Sequence, residues 1–353
     1  MFYRIAVFCL FYTSLFGIEQ INLVTPNISE QSMIGTNVGI RPFRKSGVRL
    51  EAQKIDDKLV IHNYGYGGSG LTLSFGGAKE VLDLLSEHKI ISKVVAVLGG
   101  GVIGLATAYD LLEKGYEVHL YAEQWYPELT SCVAAGIWTP LDYPESISAE
   151  NKILHKRMLD EAELRFLKSA NTDPEFAGVR LIKYYRLVEA NQKARGDEVS
   201  IHFDNGLIKN AFCTTRLGID GKVFMEDLYT KIKAKGAIME QKRFDAVEDV
   251  LKLSEPIVVN CMSIGAAKIF ADDEFVPVRG QIVYCETQEG VDYVLSQALT
   301  NENYFFAIYP WSDRIVVGGV FEVGEENKIT TPDVIYTLIE NAKNCLTVTL
   351  EEN

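Results

Sequence analysis

Gly99, Gly101 and Gly104 stand in the spacing GxGxxG, between the apolar run Val94 to Leu98 and a helical pattern from Leu105 to Lys114. This arrangement lets a pyrophosphate lie against backbone. The first glycine permits a tight turn, the second lets the phosphates approach the main chain, and the third lets helix and strand pack closely. The helix start adds unpaired N–H groups and the positive end of its dipole. Glu117 to Tyr121 reads as the next strand, and Glu123 follows it, about 20 residues beyond the glycines, where a carboxylate can accept from ribose hydroxyls. Strand, glycines, helix, strand and acid in that order predict a dinucleotide site. A ligand-free glycine turn is the plainer alternative and leaves the acid unexplained.

Gly65, Gly67, Gly68 and Gly70 form a second glycine cluster, ahead of a helix that begins near Leu71. Two places where backbone can approach a ligand predict a large cofactor with two ends. Arg41 sits beside Pro42, two residues after Gly39, as a fixed guanidinium suited to bidentate capture of a carboxylate. Arg49, in the same glycine-rich stretch, reads as part of a solvated loop.

The elements that must position these residues follow from periodicity. Val94 to Leu98, Leu59 to Asn63 and Pro256 to Cys261 are short apolar runs that suit strands buried on both faces. Ser148 to Ala170, Lys222 to Lys235 and Pro332 to Asn344 read as helices. Val179 to Glu189 and Glu198 to Asp204 alternate as half-exposed strands. Residues 277–286, 304–310 and 314–324 read as strands of a mixed or antiparallel sheet. Parallel βαβ units interleaved with an antiparallel region predict an α/β (α+β) chain of two interleaved domains. The small residues Ala134, Ala135 and Gly136 permit close approach to something flat.

Composition narrows the functions. The chain has 353 residues, 47% hydrophobic and 24% charged, enough for two cores. A formal net charge of -13 argues against nucleic-acid binding, while leaving room for a local basic pocket. Six cysteines and five histidines show no metal-ligand spacing, so no metal site is predicted. Cys261 and Cys285 read as buried thiols. The first seventeen residues, MFYRIAVFCLFYTSLFG, resemble a signal peptide, with Arg4 ahead of an apolar run too short to span a bilayer comfortably. Export is the expectation, with a cytoplasmic or membrane-associated protein as the alternative.

Taken together, the strings VLGGGVIGLATAYDL, LYAEQWYPELTSCVAAGIWTP, VVNC, VRGQIVYCE, VVGGVFEVG, GIRPFRKSGVRLE and HNYGYGGSGLT resemble the D-amino-acid oxidase family of flavoproteins. The order departs from that family, where the GIRP and HNYGxGGxGLT segments come last. The chain resembles a circular permutation whose usual ends are joined through Glu87 to Lys93. The helix from Leu71 would run about 16 residues at roughly 1.5 Å each, reaching the edge where the strand at Val94 begins. The expected division is 1–17 signal peptide, 18–32 linker, 33–93 permuted segment, 94–145 FAD-binding βαβ unit, 146–221 substrate domain, 222–270 FAD-binding domain and 271–353 substrate domain.

The resemblance implies FAD as cofactor and assigns roles by position. Gly99, Gly101, Val102, Ile103, Gly104, Glu123 and Gln124 would face its adenosine diphosphate half. Thr130, Ser131, Ala135, Gly136 and Ile137 would run beside pyrophosphate and flavin, and Phe244 would lie on the adenine side. Gly67, Ser69, Gly70, Leu71 and Thr72 would form the turn against the flavin's pyrimidine edge, where a helix start stabilises negative charge. Arg41 matches the arginine that clamps the substrate carboxylate. Gly68 matches the glycine whose carbonyl accepts the substrate amine. The implied reaction is oxidation of a D-amino acid or related small amine acid, with oxygen as electron acceptor and hydrogen peroxide as product; a homodimer is allowed.

Three positions depart from the family. Ala307 stands three residues before Pro310, where a tyrosine is usual. Tyr309 is assigned the opposite strand face, and Tyr304 is taken as the hydroxyl that reaches the substrate. The segment LTNENYFF is shorter than the usual lid, and Ser263 replaces a glycine. Two alternatives stay open: a same-fold flavoenzyme with another amine or acceptor, and a non-catalytic FAD-binding protein.

Overall fold

A computed structural model describes residues 18–89, 91–139, 147–189, 192–301 and 303–348. The expected signal peptide lies outside the described residues. None of the described helices is long and apolar enough to cross a membrane.

The nucleotide-type half is built on a six-stranded sheet in the order β10-β6-β5-β11-β4-β3. Its strands are β3 (Arg49–Ile55), β4 (Lys58–Tyr64), β5 (Val94–Leu98), β6 (Glu117–Ala122), β10 (Ile238–Gln241) and β11 (Ile257–Asn260). All are parallel except β3, which pairs antiparallel to β4. The central strands are apolar because both faces are covered. Helices α1 (Gly70–Glu87), α2 (Val102–Glu113) and α5 (Gly221–Ala234) pack one side through Phe75, Leu105 and Phe224. The short helix α6 (Val247–Leu251) closes the other, with Phe244 and Leu253.

Segment 49–89 is integral to this half. Leu59 pairs with Ile257 and His62 with Asn260, so β4 extends the parallel sheet across β11. The following helix α1 then lies against α2.

The second half is a ten-stranded sheet. Its strands are β1 (Glu19–Leu23), β2 (Met33–Arg44), β7 (Val179–Leu187), β8 (Asp197–Phe203), β9 (Ile208–Ile219), β12 (Phe275–Cys285), β13 (Val294–Ala298), β14 (Phe305–Pro310), β15 (Ile315–Val317) and β16 (Glu322–Val323). Helix α8 (Pro332–Leu346) covers one face with Leu338, Ile339 and Ala342. The other face turns toward the nucleotide half. The remaining helices are α3 (Thr130–Val133), α4 (Ala149–Asn171) and α7 (Ile264–Ile269).

Three expectations are corrected here. Ile18 to Ser32 is not only linker: residues 19–23 form β1, a parallel edge strand on β8. The polar alternation of EQINL hid it, because an edge strand buries little and its partner lies far along the chain. The glycine-rich arginine stretch contains the twelve-residue strand β2, paired along β12, with Pro42 opposite Pro277. Proline lacks the ladder N–H, so the pairing tolerates both residues only at this margin of the sheet. Arg49 belongs to β3 rather than a solvated loop; its Nη1 donates to the Tyr64 hydroxyl at 2.8 Å and its Nε to Glu51 at 2.7 Å.

Candidate active site

A cavity of about 1270 Å³ runs between the two sheets. It is lined by both glycine turns, so the two clusters read from the sequence meet on one space. Every predicted cofactor-site residue except Gly104 lines it: Gly67, Ser69, Gly70, Leu71, Thr72, Gly99, Gly101, Val102, Ile103, Glu123, Gln124, Thr130, Ser131, Ala135, Gly136, Ile137 and Phe244. Gly104 lies behind the wall, where α2 crosses β5. A Cβ there would stand 1.9 Å from the Gly99 carbonyl oxygen, so only glycine allows this approach.

Local bonds fix the walls. The Val102 N–H donates to Ser131 Oγ at 3.1 Å, tying the start of α2 to α3. Trp311 Nε1 donates to the Ala135 carbonyl at 3.2 Å, and the Ile219 N–H to the Gly136 carbonyl at 2.6 Å. The small-residue loop is thereby held to the second sheet. Ser69 precedes α1, but its hydroxyl donates to the Thr139 carbonyl at 3.2 Å rather than capping the helix. The first-turn N–H groups of α1 have no acceptor within their own helix, and Gly70, Leu71 and Thr72 line the cavity.

The far end carries charges of both signs. Lys242, Arg243 and Lys268 line the cavity together with Glu123, Glu128 and Asp245, and Arg243 pairs with Glu123 Oε1 at 3.0 Å and Asp245 Oδ1 at 2.7 Å. Phe244 meets Tyr121 edge to face, with ring centroids 6.1 Å apart.

At the near end stands Arg41. Its guanidinium lies 4.6 Å from the Phe321 ring centroid, and Nη1 donates to the Val320 carbonyl at 3.1 Å. Gly280, on the neighbouring strand, makes the space: a Cβ there would stand 2.6 Å from Arg41 Nη1. Gly68 approaches from the other side, its notional Cβ 3.6 Å from Arg41 Cδ. Burial lowers the pKa of Arg41 from its ordinary value, opposed by Tyr309. Among the described residues no carboxylate forms an ion pair with it. A guanidinium stays protonated even so, and most of its five donors are uncommitted.

The tyrosine assignments change. Strand β14 alternates: Phe305, Ala307 and Tyr309 share the face toward the cavity, while Phe306 and Ile308 face α8. Residues two apart in a strand share a face, so Tyr309 has the same parity as Ala307, and the opposite-face reading is corrected. Tyr309 is buried and lines the cavity with Arg41. Burial, and then Tyr184, raise its phenol pKa, so it is a neutral donor. Tyr304 does not line the cavity; it bridges to Val320 and packs toward the α8 core. Sequence reasoning also missed Gly280, Phe305 and Phe321, whose roles depend on β2 and β12 being neighbours. Parity alone would have found Tyr309.

Among the described residues no histidine lines the cavity, and Glu326 and Lys328 line it along with Phe321 and Val323. No group of His, Cys, Asp or Glu among the described residues could hold a metal ion. Cys132, Cys213, Cys261, Cys285 and Cys345 are buried free thiols, and burial pushes Cys261 up to about 12.

The profile of the family described as FAD dependent oxidoreductase (DAO) matches residues 95–352. The chain belongs to this family. Its cofactor is therefore FAD, and the cavity fits it: long, walled by glycine backbone, with helix N–H groups and cations toward the anionic half. The chain is 30% identical over 247 residues to a D-amino-acid oxidase of Streptomyces coelicolor, covering 68% of this chain and 72% of that protein. It is 25% identical over 271 residues to human D-aspartate oxidase, covering 71% and 73%. Among solved structures, the glycine oxidase of Geobacillus kaustophilus aligns with a TM-score of 0.53 at 16% identity, over 70% of this chain and 76% of that one. That of Bacillus cereus aligns at 0.51 and 17%, over 70% and 78%. These last two likenesses concern the fold.

Proposed function

We propose that this member of the family oxidises a D-amino acid with a small apolar side chain to the imino acid. Water then releases the 2-oxo acid and ammonia, and oxygen is reduced to hydrogen peroxide. The observation that carries this is Arg41: a half-buried guanidinium with no acidic partner among the described residues, at one end of a cavity whose other features suit FAD. A partly desolvated cation without a counter-ion is costly, and a ligand carboxylate relieves it.

Bound FAD supplies the acceptor for the hydride that leaves the α-carbon. Everything else falls to the chain. Arg41 takes the carboxylate in a bidentate pair, and Tyr309 donates a third hydrogen bond to it. The Gly68 carbonyl accepts from the amine, so both ends of the substrate are held and the α-hydrogen has one direction. Ile282, Phe305 and Phe321 form an apolar wall that suits an apolar side chain. With the substrate oriented in this way, no side-chain base is needed at the α-carbon. The names of the Streptomyces and human relatives support the D configuration. The test is turnover of paired enantiomers in air, reading peroxide and ammonia. D-alanine and its larger apolar homologues should give both products; a panel in which only L-enantiomers react contradicts the reading.

We also infer that residues 33–89 do the work of a segment that closes the fold in the family's usual order. The family match begins at residue 95, yet β4 and α1 complete both sheet and cavity. A chain rebuilt with residues 33–93 after residue 348 should fold and bind FAD; a folded product without FAD binding would contradict this.

A further inference from the structure

Ser263 stands at the cavity wall with φ 57° and ψ -125°, a backbone conformation suited to glycine. The conformation is imposed from outside. The Cys261 N–H donates to the Leu98 carbonyl at 2.8 Å, and the Met262 N–H to Asn260 Oδ1 at 3.1 Å. Asn260 is itself fully buried against His62, with Nδ2 and Nδ1 3.1 Å apart. The backbone of Cys261 and Met262 presses on the GxGxxG turn: a Cβ at Gly99 would meet the Cys261 carbonyl oxygen at 2.4 Å. The segment therefore cannot relax, and serine at its end is held under strain that glycine would relieve.

The side chain does not offset that strain locally. Serine is a favoured helix cap, but the Ser263 hydroxyl makes no capping bond to α7. Ser263 lines the cavity together with Gly99, Gly100 and Gly101, the GxGxxG turn on which the phosphates are expected to lie. We propose that Ser263 is a cofactor-binding residue whose Oγ donates a hydrogen bond to an oxygen of the adenosine diphosphate half of FAD. The strained backbone is what aims that hydroxyl into the cavity. The assignment does not depend on which amino acid is oxidised.

Two variants separate the hydroxyl from the strain. Full-length apoprotein is titrated with FAD, and separately with ADP, while its thermal midpoint is followed without ligand. Ser263→Ala keeps the backbone burden and loses the hydroxyl; it should weaken FAD and ADP alike by about tenfold, the loss of one hydrogen bond to a charged group. Its apoprotein midpoint should stay near wild type. Ser263→Gly should raise the apoprotein midpoint by about 2–4 °C as strain is released, yet still weaken both ligands. Wild-type affinity for FAD and ADP in Ser263→Ala overturns the proposal, whatever the glycine variant does, as does an FAD loss that spares ADP.

Discussion

Arg41→Ala abolishes amino-acid turnover while the protein stays yellow. The half-buried guanidinium lies over Phe321, beside Gly280 and Gly68, with one backbone acceptor and no acidic partner among the described residues. Its attraction for a carboxylate is therefore not shared with a protein anion. Removing one member of a buried charge pair costs about 3–5 kcal/mol, or roughly a 10²–10⁴-fold fall in kcat/KM. Tyr309→Phe should cost less, about 10-fold, because a single hydrogen bond to a charged group is lost and the ring still fills its site. Both variants should keep wild-type flavin content, since Arg41 and Tyr309 stand at the opposite end from the GxGxxG turn. The ratio of flavin to protein absorbance, read beside kcat/KM, checks this. An Arg41→Ala enzyme with undiminished turnover would remove the clamp from the account.

Gly104→Ala should strip the protein of FAD and destabilise it together. A methyl group 1.9 Å from the Gly99 carbonyl oxygen cannot be accommodated by a side-chain rotation, because the obstacle is backbone. Helix α2 must move away from β5, opening the core around Leu105 and Val97 and shifting the turn that faces the cofactor. Overpacking of this kind costs about 1–3 kcal/mol even where neighbours can yield, and here they cannot easily do so. Gly115→Ala is the control. Gly115 also has a positive φ, 74°, but nothing lies within 4 Å of its notional Cβ. Its alanine variant should lose about 1–2 kcal/mol from the left-handed backbone alone and retain its flavin. Thermal midpoints and bound FAD after gel filtration distinguish the two.

Much of the nucleotide half was legible because its signals are local. An apolar run, three glycines, a helix and an acid lie within thirty residues, and each has one physical reading. The helices α4 and α5 are visible through periodicity, and the structure adds their caps: Ser148 Oγ accepts from the Asn151 N–H at 3.1 Å and Asp220 Oδ1 from the Lys222 N–H at 3.2 Å. The second sheet was less legible because its order is not local. β1 is ordered by β8, nearly two hundred residues later, and β2 gains its register from β12. Glycines and prolines in β2 describe a loop until the partner strand is known; then Gly39 opposite Gly280 explains how Arg41 fits. Sequence alone favours the reach of Tyr304, whereas Tyr309 shares the parity of Ala307 and lines the cavity. Strand β14 decides between them, since its odd residues face the cavity and its even residues face α8.

The most direct measurement is anaerobic mixing of the purified holoprotein with each enantiomer of alanine, valine and leucine, following the flavin absorbance. The account predicts that D-enantiomers bleach the flavin and that admitting oxygen restores the colour once the substrate is spent, with one peroxide per amino acid oxidised. Flavin that stays oxidised with every D-amino acid, or bleaches equally with the L series, would contradict it.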